Sequence, residues 1–268
     1  MNERESNTVL ITGASSGIGA ELARVVASEG YNLVLTARRE ERLRDVADVV
    51  EDEHGVEAEV IPKDLSRLEA PQELYDETEG SGTKIHTLVN NAGFPVHGRF
   101  DESNLGAELD MIAVNITAVT HLSKLFIPEM VERGEGGLLN AASISSYYPT
   151  PKMSVYAATK AYVLSLSLAL ENEFRDDGVT VTAYAPGPAE TEFMERGGVD
   201  ESHIGSGITH DAETVARKAW SGYTTGKRVV YPSKSIWLFV QTGRFIPQKT
   251  AVSFGKNGVE QGLSYNPF

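Results

Sequence analysis

From residue 8 onward, short β-branched and apolar runs alternate with longer stretches whose apolar residues recur at every third or fourth position. Strand-like runs lie at residues 8–13 (TVLITG), 31–37 (YNLVLTA), 57–62 (EAEVIP), 85–92 (IHTLVNNA), 136–143 (GGLLNAAS) and 179–187 (VTVTAYAPG). Helical periodicity fills the gaps, over about 17–29, to about 52, over about 105–133 and to about 175. Alternation of this kind predicts an α/β protein with a doubly wound Rossmann fold: a parallel sheet of about seven strands, helices on both faces, ligands at the carboxyl ends of the strands. No repeat or linker interrupts it, so residues 1–268 read as a single Rossmann-type domain with a polar tail at 1–7 and a second tail at 254–268. Residues 187–207 break the rhythm; polar and Gly-rich, they are the candidate substrate lid loop. An amphipathic helix over 235–247 suits core or subunit packing.

Composition narrows the classes. At 268 residues the chain is long enough to bury its own core without a staple, and it contains no Cys. That excludes disulfides and thiolate chemistry and fits a reducing cytoplasm. The polar start carries no signal-peptide pattern, and the mostly apolar stretch at 155–170 is too short for a membrane span. A soluble, cytoplasmic protein is expected. A net charge of −14 argues against nucleic acid and anionic lipid as partners. The six His show no ligand-like spacing, so no metal site is expected.

The candidate chemistry begins at TGASSGIG (residues 12–19). Gly13, Gly17 and Gly19 stand between the first strand and the first helix, where a tight turn lets a pyrophosphate approach the backbone N–H groups of the helix N-terminus. Ser15, Ser16 and Ile18 belong to the same loop. After the second strand, where a carboxylate would hold a ribose 2′-hydroxyl, the chain instead has Arg38 and Arg39. Two guanidinium groups suit a 2′-phosphate, which predicts NADP(H) over NAD(H). Further on, Tyr156 and Lys160 stand four apart on one helix face. Alone, that pair reads as a core phenol beside a snorkelling lysine rather than as a proton-transfer pair.

Four motifs together reverse that reading. TGASSGIG, NNAG (residues 90–93), YAATK (156–160) and PGPAET (186–191) occur in the order of a short-chain dehydrogenase/reductase, and the chain resembles that family over about residues 8–230, while its stretch at 215–247 resembles the carbonyl or 3-oxoacyl reductase branch. The resemblance implies a catalytic set of Asn115, Ser143, Tyr156 and Lys160, with Tyr156 as general acid/base and Lys160 lowering its pKa. It implies a cofactor site that also includes Asp64 and Leu65 at the adenine, Asn91, Ala92 and Gly93 after the fourth strand, and Pro186, Gly187 and Thr191 after the sixth. Tyr156 and Lys160 would touch the cofactor as well.

Phe94, Val96, Tyr147, Tyr148, Pro149, Met153, Phe193 and Met194 are the expected pocket walls, which favours a hydrophobic small-molecule carbonyl substrate. His97 is a candidate substrate contact. An alcohol or hydroxysteroid-type dehydrogenase and a catalytically silent nucleotide-binding regulator are the alternatives. Tyr162, Leu164, Leu166, Leu168 and Leu170 give the Tyr156 helix more apolar surface than one core face needs, which fits a homodimer or homotetramer.

Overall fold

The computed structural model describes residues 7–188, 210–243 and 252. In chain order the strands are β1 (Thr8–Thr12), β2 (Asn32–Thr36), β3 (Ala58–Val60), β4 (Ile85–Asn90), β5 (Gly137–Ala141), β6 (Thr180–Tyr184) and β7 (Val229–Val230). The helices are α1 (Gly17–Ser28), α2 (Glu40–His54), α3 (Ala70–Glu77), α4 (Leu105–Ile112), α5 (Val119–Arg133), α6 (Ser154–Phe174), α7 (Ala212–Thr224) and α8 (Lys234–Gly243).

All seven strands form one sheet in the order β3-β2-β1-β4-β5-β6-β7, and every pairing is parallel. The order reverses between β1 and β4, which opens a crevice at their carboxyl ends where the glycine loop and NNAG segment lie. Burial on both faces is what makes these strands continuous apolar runs. Val9 and Ile11 point to one face with α1, α2 and α7, whereas Leu10 points to the other with α3, α5 and the α4–α5 junction. The expected α/β class and strand number therefore hold. The seventh strand, only two residues long, carries no periodicity from which it could be located.

The single helix expected over about 105–133 is continuous but not uniform. Residues Ala113–Ala118 form a π-helical turn between α4 and α5. Among the described residues this 29-residue segment, rather than the Tyr156 helix, is long and apolar enough to cross a membrane. Half of its apolar window is buried against the sheet, as a core helix requires, with Leu122, Phe126 and Met130 fully enclosed.

The lid-loop expectation lies outside the described residues beyond Pro188, as do Thr191, Phe193, Met194 and the 254–268 tail. The amphipathic helix expected over 235–247 is seen as Lys234–Gly243.

Candidate active site

The candidate phosphate-binding end is built where β1 gives way to α1. Gly13 takes a left-handed φ of 69°, and its N–H donates to Thr36 O at 2.7 Å, tying the loop to the end of β2. A Cβ on Gly19 would lie 2.3 Å from Gly13 O, so only glycine lets the helix pass this close. Ser16 precedes α1 with extended backbone and makes no side-chain cap, leaving the first-turn N–H groups of α1 uncapped. Ile18 packs its side chain on the core, so only its backbone is available to a ligand.

Arg39 reaches across this loop. Its Nη2 donates to Ser16 Oγ at 2.9 Å and to Ser15 Oγ at 3.3 Å, while Arg38 is exposed. An uncapped helix N-terminus, a cradle that a Cβ would fill and a guanidinium beside two hydroxyls fit a dinucleotide carrying an extra phosphate. At the far end Asp64 Oδ1 accepts from Ser66 N and Ser66 Oγ, at 3.1 and 2.8 Å. The Leu65 side chain is buried in the core.

The NNAG residues support the loop before they touch anything else. Thr12 Oγ1 accepts from the backbone N–H of Asn91 and Ala92, at 3.0 and 2.9 Å. Asn91 Nδ2 donates to Thr12 O at 2.9 Å and Gly13 O at 3.4 Å, while its Oδ1 accepts from Tyr184 at 2.7 Å. A Cβ on Gly93 would lie 2.9 Å from Asn115 Oδ1 and 3.2 Å from Lys160 Nζ, so the loop enters the catalytic cluster only as glycine.

The catalytic candidates converge at the ends of β4 and β5. Asn115 sits in the π-helical turn, fully buried. Its Nδ2 donates to Thr159 Oγ1 at 3.0 Å and Phe94 O at 3.3 Å, and its Oδ1 accepts from Phe94 N at 3.3 Å. The side chain is thus spent on joining the β4–α4 loop to α6. Ser143 Oγ accepts from Ser145 N at 3.1 Å, and Ser143 also hydrogen-bonds the Tyr156 side chain. Ser146 Oγ accepts from Ser143 N at 3.2 Å and donates to Lys160 O at 2.8 Å, bridging the backbones of two candidates.

Burial pushes the Tyr156 hydroxyl up to about 12, opposed by the hydrogen bond with Ser143. Burial also pulls the Lys160 ammonium down to about 8. Lys160 Nζ donates to Ala141 O at 2.8 Å and lies 5.9 Å from the Tyr156 ring centroid. Burial thus moves each group toward its neutral form, the phenol upward and the ammonium downward.

Met111, Met153 and Tyr156 form one cluster with Phe94, Val96 and Val155, an apolar wall beside the phenol. Tyr147 and Tyr148 turn toward α8 and the segment before it instead. Tyr147 pairs its hydroxyl with that of Tyr231 at 2.6 Å, and Tyr148 donates to Phe239 O at 2.7 Å. His97 is partly buried, which holds its pKa down, and the nearby Lys152 charge adds to this. Among the described residues no group of His, Asp and Glu could hold a metal ion.

Pro186 follows β6, its carbonyl accepting from Ile144 N at 3.0 Å, with Gly187 next in the chain. Sequence reasoning missed Thr12, Ser146, Thr159 and Tyr184. Each has a partner on another element, and only Thr12 in the glycine motif and Thr159 in YAATK stood within a motif.

Known proteins resemble this chain in sequence and fold. The family model for short chain dehydrogenases matches residues 7–201. A very-long-chain 3-oxoacyl-CoA reductase of Anas platyrhynchos is 35% identical over 184 residues, 66% of this chain and 58% of that relative. A short-chain dehydrogenase from Sphingobium yanoikuyae in complex with NADPH has a TM-score of 0.81 at 34% identity, covering 89% of this chain and 93% of that one. The bulky-bulky ketone specific alcohol dehydrogenase from Comamonas testosteroni has a TM-score of 0.76 at 30% identity, covering 91% and 96%.

Proposed function

The chain belongs to the short chain dehydrogenase family of oxidoreductases, and from that premise we propose that it is an NADP(H)-dependent reductase of a hydrophobic ketone or 3-oxoacyl compound. The observation that carries the reading is the buried cluster of Ser143, Tyr156 and Lys160 beside the uncapped glycine loop. Arg39 on Ser15 and Ser16 supports a 2′-phosphate, as does the likeness to a chain solved with NADPH.

The bound nicotinamide cofactor supplies the hydride. Ser143 donates a hydrogen bond to the substrate's carbonyl oxygen, and Tyr156 delivers its phenolic proton to that oxygen as negative charge develops there. Burial keeps Tyr156 protonated across the neutral range, which suits an acid. The phenolate left behind is stabilised by the Lys160 ammonium across the shared helix face and is reprotonated from solvent. Asn115 holds the Phe94 loop against α6 and so keeps the wall beside Tyr156 in place.

The apolar wall of Met111, Met153, Phe94 and Val96 favours an apolar group beside the carbonyl. It is consistent with the ketone and 3-oxoacyl chemistry in the names of the two relatives. A dehydrogenase running oxidatively would use the same residues in reverse, whereas a silent regulator would have no use for the complete set. One domain acting as a homodimer or homotetramer in a reducing cytoplasm completes the proposal. Leu105 (71% exposed) and Leu109 (55%) on α4, with Tyr162 and Leu168 on α6, offer the apolar surface such contact needs. Within the surface expected on α6, Leu164 and Leu170 belong to the core instead.

A panel of aliphatic, aromatic and 3-oxoacyl ketones offered with NADPH and with NADH tests the reading. Consumption of NADPH with a hydrophobic member supports it; no turnover with any carbonyl or alcohol, despite NADPH binding, would make the protein a regulator.

A further inference from the structure

Tyr184 is the last residue of β6 and 2% exposed, and the roles considered so far leave it unused. Its hydroxyl donates to Asn91 Oδ1 at 2.7 Å. In the sheet order β5 stands between β4 and β6, so this bond spans a whole strand to reach the segment after β4. Beyond it, Asn91 Nδ2 donates to Thr12 O and Gly13 O. We propose that Tyr184 is a positioning residue for the cofactor's phosphate loop, acting through the Asn91 carboxamide. The inference rests on the reading of the site as one for a nicotinamide dinucleotide.

The physical case lies in the asymmetry of the amide. A carboxamide accepts at its oxygen and donates at its nitrogen, so pinning one end orients the other. With Oδ1 held by the phenol, Nδ2 faces two loop carbonyl oxygens. Were the amide to flip, Oδ1 would face those oxygens and nothing would donate to them.

The loop also rests directly on this group. A Cβ on Gly13 would lie 2.9 Å from Asn91 Nδ2, and one on Gly19 2.5 Å. Moving the amide therefore moves the two glycines that shape the pyrophosphate cradle. The Tyr184 ring belongs to the buried core cluster on the α1 and α7 side of the sheet, a task Phe could perform equally well. The hydroxyl is what a packing role leaves unexplained. Its burial also raises the phenol's pKa, so it remains a donor throughout the working range.

The test compares Tyr184→Phe with Tyr223→Phe, which removes another buried phenol hydroxyl, the one paired with Thr87 at 2.8 Å. NADPH Kd is measured by fluorescence titration, alongside Tm and amide hydrogen exchange of residues 13–19 in the cofactor-free proteins. Tyr184→Phe is expected to weaken NADPH binding about 5- to 10-fold, as loss of one net hydrogen bond does, and to speed exchange in the loop. Its kcat at saturating NADPH should stay within about twofold, since the chemistry is untouched. Tyr223→Phe is expected to lower Tm while leaving Kd and loop exchange unchanged.

An unchanged Kd and unchanged loop exchange in Tyr184→Phe, whatever its Tm, would make Tyr184 a packing residue and overturn the inference alone. An equal rise in Kd in both variants would overturn it too, since the effect would be a general one. Failure of the parent protein to bind NADPH or NADH would overturn the dinucleotide reading, and this inference with it.

Discussion

Lys160 holds its ammonium nitrogen 5.9 Å from the ring centroid of Tyr156 while donating to the Ala141 carbonyl. Both groups are buried, and burial moves their pKa values in opposite directions, each toward the neutral form. The cluster is thus set to hold a neutral phenol rather than a phenolate until positive charge enters the cleft.

That arrangement has a consequence for stability. Lys160 titrates at about 8 in the folded protein against an ordinary value of 10.5. Across that window the unfolded chain binds more protons, so the Lys160 contribution grows as pH rises and is lost as pH falls through about 8. Tyr156, raised from 10.0 to about 12, contributes stability below pH 10 that is lost as pH climbs toward 12. Thermal melts of the cofactor-free protein and of Lys160→Met check the Lys160 effect. The variant's advantage in Tm should be largest below pH 8 and shrink above it; a difference independent of pH would contradict the assignment.

Arg39, rather than the exposed Arg38, bridges to the loop serines. A charge-assisted hydrogen bond from Arg39 to the 2′-phosphate would be worth roughly 1.5–3 kcal/mol, so Arg39→Ala should raise the KM for NADPH by about 10- to 100-fold. The KM for NADH should barely move, and Arg38→Ala should have the smaller effect. Steady-state kinetics with both cofactors decides it.

Gly19→Ala places a Cβ 2.3 Å from Gly13 O, a clash with backbone that no side-chain rotation relieves. Overpacking typically costs about 1–3 kcal/mol. A drop in Tm of several degrees and loss of NADPH binding are expected, read by a melt and a binding titration.

How much of this was legible in the sequence depends on the range of each interaction. Gly13, Gly19, Tyr156 and Lys160 announce themselves because left-handed backbone, close approach and a shared helix face demand particular residues at fixed spacing. The strands before them were legible for the same reason, being buried on both faces. Ser146 and Tyr184 were not, since their partners lie 14 and 93 residues away and depend on strand order and on how α6 seats on the sheet. The π-helical turn at Asn115 was hidden inside an unbroken helical periodicity. Nor could spacing reveal the balance between desolvation and charge at Tyr156, because it depends on burial that only the packed fold creates.

Leu105 and Leu109 lie one turn apart on α4 and stay exposed. Light scattering should give a dimer or tetramer for the parent protein. Leu105→Glu combined with Leu109→Glu should shift it to monomer with the helical content retained, and a multimer unaffected by both changes would remove this face from the interface.

The most direct test of the central claim is turnover by Tyr156→Phe, followed as NADPH consumption with a hydrophobic ketone that the parent enzyme reduces. Loss of the general acid should lower kcat by about 10²- to 10⁴-fold while the NADPH Kd stays within about twofold of the parent value. A variant that keeps kcat within an order of magnitude would show that the proton comes from elsewhere and contradict the account.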